Sequence, residues 1–76
     1  MNTLTKLTAV IAKEADLDPA TISAASTFDD LGFDSLAVVE VILRIEEAFD
    51  LSIPDETAHQ FKAVSDVVTW LEKAGA

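Results

Sequence analysis

The 76-residue chain contains no cysteine. That absence excludes disulfide scaffolds, thiolate zinc sites, iron–sulfur clusters and a cysteine nucleophile. Basic residues are scarce: five Lys and Arg stand against fourteen Asp and Glu, a formal net charge of −9. A free-standing binder of nucleic acid or of an anionic membrane needs the opposite sign, so neither is expected as a partner. A protein partner should instead present a basic patch. Long apolar runs are missing too, and the first residues do not read as a signal peptide, so a cytoplasmic location is expected. Punctuation is sparse, with glycine only at Gly32 and Gly75 and proline only at Pro19 and Pro54, and there is no internal repeat. What the chain does have is apolar residues, half of its composition, which argues against disorder. Area scaling gives a folded surface of roughly 4,500 Å² against about 11,700 Å² for the open chain. That supports one modest core over residues 1–76, expected to be monomeric, and leaves little room for a walled-off active site.

Asn2 or Thr3 can cap a first helix whose apolar positions Leu4, Leu7, Ile11 and Ala15 keep the 3.6-residue period. The helix should stop before Pro19, because a residue preceding proline is pushed out of the α region. Residues 16–34 show no sustained period and read as a long ordered loop, pinned to the core by Leu17, Ile22, Phe28, Leu31 and Phe33. From Ser35 to Phe49 there is neither glycine nor proline, and Leu36, Val39, Ile42, Ile45 and Phe49 recur at helical spacing. Asp34 stands where an N-cap belongs, and Glu40 and Arg44 have the spacing of an i,i+4 ion pair. Val38, Val41 and Leu43 are expected to point away from the inward stripe. The pattern breaks over residues 50–54, after which Asp55 and Glu56 suit the positive end of a short third helix reaching Phe61. A last helix is expected over Val64–Lys73, with Val64, Val67, Val68 and Leu71 inward, Trp70 at the core edge and Ser65 available as a cap. The fold predicted is all-α: a small four-helix bundle with a long loop between helices 1 and 2 and a short third helix.

The charge is unevenly placed. Between Asp29 and Glu56 lie nine acids and one base, Arg44, so eight of the nine net negative charges belong to the second helix and its flanks. A solvated face that keeps a small protein dispersed accounts for part of this. Yet Glu40, Glu46 and Glu47 share their helix with apolar residues off the inward stripe. Carboxylates interleaved with exposed aliphatic groups make a docking surface, where charge steers the encounter and apolar contact supplies affinity.

The stretch Phe28-Asp29-Asp30-Leu31-Gly32-Phe33-Asp34-Ser35-Leu36 is the most informative. Asp-Ser after a glycine turn is a common helix start. It also holds a serine hydroxyl in water at the positive end of a helix, where a phosphate ester would meet free backbone N–H groups. Gly32 permits the turn and leaves the hydroxyl accessible. Asp34, repulsive to a phosphodiester, must serve as a cap or hold a divalent cation during modification.

The chain resembles the acyl carrier proteins. The resemblance runs through Leu31-Gly32-Phe33-Asp34-Ser35-Leu36, Val39-Glu40, Ile45-Glu46-Glu47-Ala48-Phe49, Ile53-Pro54-Asp55-Glu56 and Val64-Ser65-Asp66-Val67-Val68. It implies that Ser35 carries 4′-phosphopantetheine, installed by a phosphopantetheinyl transferase that needs Mg²⁺, with Asp34 assisting. It further implies that Leu36, Glu40, Leu43 and Glu47 face partner enzymes such as a ketosynthase or an acyltransferase. The missing cysteine then has a consequence, since the sulfur of a thioester must be imported on a prosthetic arm. Phe33 before Asp34 and Ala37-Val38 after Leu36 look more like the carriers of dissociated aromatic-polyketide systems than those of housekeeping fatty-acid synthesis. Cargo is expected to fold back against Val39, Ile42, Ile45, Phe49 and Phe61.

A Ser–His–Asp hydrolase is disfavoured: His59 is the only histidine and there is no Gly-x-Ser-x-Gly elbow. A calcium loop from Asp16 would hold Thr21 where glycine is needed. The alternative from another class is an unmodified acidic helical interaction module.

Overall fold

The computed structural model describes residues 2–75. Four helices succeed one another: α1 (Thr3–Ala15), α2 (Ser35–Phe49), α3 (Asp55–Ala58) and α4 (Val64–Lys73), with a 3₁₀ turn at Pro19–Thr21 in the long connection. No strand forms among the described residues, only an isolated antiparallel bridge between Thr27 and Ala63. The predicted all-α bundle is the observed fold. Its surface, 4761 Å², is close to that expected of a chain this size.

Local chemistry sets the boundaries. Asn2 accepts the Thr5 N–H at 2.8 Å and starts α1. Asp16 and Asp50 end α1 and α2 in the left-handed conformation (φ 56° and 54°), each returning its N–H to a helix carbonyl. In α3 the cap position is Pro54 and the helix ends at Ala58, one turn earlier than expected, before it buries anything.

The core draws on every segment except α3. Leu7 and Ile11 come from α1, Val41, Ile42 and Ile45 from α2, and Val64, Val67 and Leu71 from α4. The connection between α1 and α2 contributes Ile22, Phe28 and Phe33, the two aromatics meeting edge-to-face at 5.9 Å. Leu31 is half-buried, whereas Leu17 stays at the surface. This connection is ordered because its backbone groups are paired. Phe28 N–H reaches the Lys62 carbonyl at 3.0 Å, and the Ser26 and Ala24 carbonyls accept from Val64 and Ser65, the first residues of α4.

Three sequence expectations change. The buried stripe of α2 is Val41, Ile42 and Ile45, flanked by half-buried Val38 and Phe49, while Leu36 and Val39 are 69% and 51% exposed. So many positions of α2 are apolar that two stripes share the period, and only the directions of α1 and α4 choose between them. Arg44 does not pair with Glu40; it reaches Glu47 at 2.6 Å and Glu14 of α1 at 3.2 Å. The start of α4 is not capped by Ser65. Asp66 supplies the cap, its carboxylate accepting from Ala63 and Lys62 N–H at 3.0 Å each.

These two hydrogen bonds, Ala63's first, hold the Asp66 carboxyl below its ordinary value of 3.8. A carboxylate with a depressed folded-state pKa adds stability above its unfolded pKa and loses it as the pH falls through the lowered value. Asp66→Ala is therefore expected to be less stable than the wild type at pH 7, the difference shrinking once the pH passes below the ordinary aspartate value. Urea unfolding across that range checks it; a difference independent of pH would contradict the assignment.

Candidate functional site

Gly32 turns the chain at φ 89°, a conformation L side chains rarely adopt, and buried Phe33 anchors the residues leading into α2. Asp34 comes next with extended backbone, and its carboxylate accepts the Ala37 N–H at 2.8 Å. Asp34 is therefore the cap of α2. Ser35 is thereby the first residue of the helix, exposed, at the positive end of a 15-residue dipole. Of the N–H groups a helix start leaves open, Asp34 takes Ala37's, so those of Ser35 and Leu36 are left for an anion.

Ser35 lies where two hollows meet. One, of about 370 Å³, runs between α2 and α3; its apolar wall includes Val39, Ile42, Leu43, Ile53 and Phe61, and its rim carries Glu46, Asp55 and His59. The other, of about 570 Å³, lies toward the long connection and is lined by Phe28, Phe33, Asp29 and Lys62. Counting from Ser35 in steps of three and four reaches Val38, Val39, Ile42 and Glu46, which all line the first groove. That counting was available from the sequence, yet Val38 was not foreseen as a groove residue; Ile53, past the end of α2, lies beyond the reach of such counting.

The expected site residues separate into groups. Leu36, Glu40, Leu43 and Glu47 are exposed on α2. Glu46 is half-buried, and its Oε2 accepts the Ile53 N–H at 2.7 Å, so it ties the segment before α3 to α2. Val39, Ile42 and Phe61 line the groove. Ile45 and Phe49 do not: Ile45 is wholly inside, and Phe49 packs under the Lys6 ammonium at 4.6 Å.

Residues 5–71 match a family model described as the phosphopantetheine attachment site. An acyl carrier protein of Bdellovibrio bacteriovorus is 46% identical over 71 residues, covering 92% of this chain and 91% of its own length. The chain belongs to the acyl carrier protein family. Acyl carrier proteins of Syntrophobacter fumaroxidans (44% over 69 residues; 90% of this chain, 85% of the relative) and Clostridium perfringens (46% over 67; 87% and 88%) are similar to it as well. It is a carrier and not an enzyme, and its cofactor is a covalently attached 4′-phosphopantetheine. This sets aside the unmodified interaction module. The start of α2 fits such a group: a water-exposed hydroxyl, open N–H groups for a phosphate and a groove alongside. No helix among the described residues is long and apolar enough to cross a membrane.

Proposed function

We propose that Ser35 carries the 4′-phosphopantetheine arm and that the protein presents acyl intermediates on it to synthase enzymes such as a ketosynthase and an acyltransferase. The observation that carries this reading is the exposed Ser35 hydroxyl at the capped start of α2. The arm supplies the thiol that the chain lacks and holds acyl groups as thioesters. The chain's own residues do the rest. Asp34 fixes the helix start, the N–H groups of Ser35 and Leu36 favour a phosphate, and exposed Leu36, Glu40, Leu43 and Glu47 face basic partners. The test is the intact mass after incubation with coenzyme A, Mg²⁺ and a broad-specificity phosphopantetheinyl transferase. One phosphopantetheinyl group is expected, and none would overturn the reading.

Docking makes its own prediction. Reversing Glu40 and Glu47 together to Lys should slow transfer by a basic partner roughly tenfold at low ionic strength and flatten its salt dependence, with helicity retained. Unchanged kinetics would leave the acidic face a mere solvation device.

The groove is the place proposed for cargo. About 370 Å³ lies at the small end of ligand sites, and its wall is apolar where its rim is polar. Acylation should protect the amides of Val39, Ile42 and Phe61 from exchange and leave those of Glu47 and Asp50 unchanged; equal rates in holo and acylated forms would reject burial. The same measurement separates pathways. Phe33 is accounted for by its packing on Phe28, so the polyketide reading rests on Ala37-Val38 and on His59 at the rim, which can donate to a carbonyl oxygen. A polyketone is then expected to protect the groove better than a saturated chain. The opposite order favours a housekeeping fatty-acid role.

A further inference from the structure

We infer that Arg44 tunes the docking face by holding Glu47 in an internal ion pair, so that a basic partner meets Glu40 first and engages Glu47 only in exchange for Arg44. The inference rests on the acidic face being a docking surface. The three glutamates of α2 are in three different states. Glu46 is bound to the Ile53 N–H. Glu47 Oε1 lies 2.6 Å from Arg44 Nη1, while Arg44 Nε lies 3.2 Å from Glu14 Oε1 on α1. Glu40 is left out of both ion pairs.

One guanidinium therefore serves two carboxylates, and its forked donors can hold both at once where a lysine would offer a single point charge. The hydrogen bond to Glu47, then the charges of Glu47 and Glu14, raise the Arg44 pKa above its ordinary value. Arg44 and Glu47 side chains are 56% and 69% exposed, so a partner can reach both. Ion pairs this exposed are weak. A partner's Lys or Arg displaces Arg44 without disturbing the core, and the effect is a graded tuning of encounter rate and not a block. Arg44 is also the one base between Asp29 and Glu56, so its removal uncovers charge where the field is already most negative.

The experiment is a double-mutant cycle on the apo carrier, read as kcat/KM of a phosphopantetheinyl transferase with a basic substrate-facing surface, at low and high ionic strength. Arg44→Gln should raise kcat/KM about 2- to 5-fold at low salt, and the gain should vanish at high salt. Lys73→Gln on α4, which changes net charge equally, should give less. Glu47→Gln should change the rate by under about twofold alone but cancel the gain when combined with Arg44→Gln. A gain no larger than that of Lys73→Gln, or strictly additive effects of Arg44→Gln and Glu47→Gln, would overturn the inference. If Glu40→Lys with Glu47→Lys slows nothing, the docking reading fails instead, which keeps the two failures apart. Circular dichroism confirms that each variant is folded.

Discussion

Ser35→Ala should leave a folded carrier that never gains its arm. The hydroxyl is exposed and makes no hydrogen bond that holds the fold, because the cap of α2 is supplied by Asp34 through Ala37. Alanine is the best helix former, so the change in stability should stay within about 0.5 kcal/mol. Chemistry, by contrast, has no substitute. A phosphodiester to the chain needs a hydroxyl at the point where the N–H groups of Ser35 and Leu36 and both hollows converge. Thr27, the other hydroxyl lining the hollow toward the long connection, accepts from Asp30 N–H and is not at a helix start. Intact mass should show one added group on the wild type and none on the variant, with matched helicity and matched unfolding midpoints. A modified Ser35→Ala protein would place the attachment elsewhere.

The second large effect concerns the core. Ile45→Ala is expected to lose about 2–5 kcal/mol, the range for truncating a buried isoleucine that leaves a cavity. A domain of this size has roughly 4–11 kcal/mol in all. The variant should therefore unfold at a much lower urea concentration. Val39→Ala, earlier on the same helix, should change stability by no more than about 0.5 kcal/mol. The contrast comes from burial: Ile45 is 0% exposed and Val39 51%. Comparable losses at both positions would mean that α2 is rotated about its axis, with Val39 turned inward.

That contrast also shows where sequence reasoning reached its limit. Val39 and Ile45 belong to one run in which Leu36, Val38, Val39, Val41, Ile42, Leu43 and Ile45 are all apolar. A helical period was plain, but its phase was not, and the stripe read as inward included two residues that face water. The polar neighbours misled in a related way. Glu40 and Arg44 have ideal spacing, yet Arg44 bends toward Glu14, thirty residues earlier in the chain, because α1 lies alongside. Glu46 looked like a surface acid and is instead half-buried against the Ile53 N–H. Arg44 also has Glu47 within reach on its own helix, at 2.6 Å, so local spacing offered two partners and did not choose between them. The choices of Glu14 and of the Ile53 N–H lie between segments, and local spacing carries no record of them.

The chain alone determined that this is a small acidic all-helical protein without its own sulfur nucleophile, that α2 begins at Asp34-Ser35, and that it resembles the acyl carriers. These features come from composition, capping and period, which act over one or two turns of chain and so can be read in order. The tertiary structure decided the rest: which face of α2 is buried, how Ser35 comes to lie beside a groove built from Ile53 and Phe61, and which of three glutamates stands free. Those are outcomes of packing α1 against both α2 and α4, with α3 beside the groove, where burial of apolar area and pairing of polar groups are settled between residues far apart in sequence.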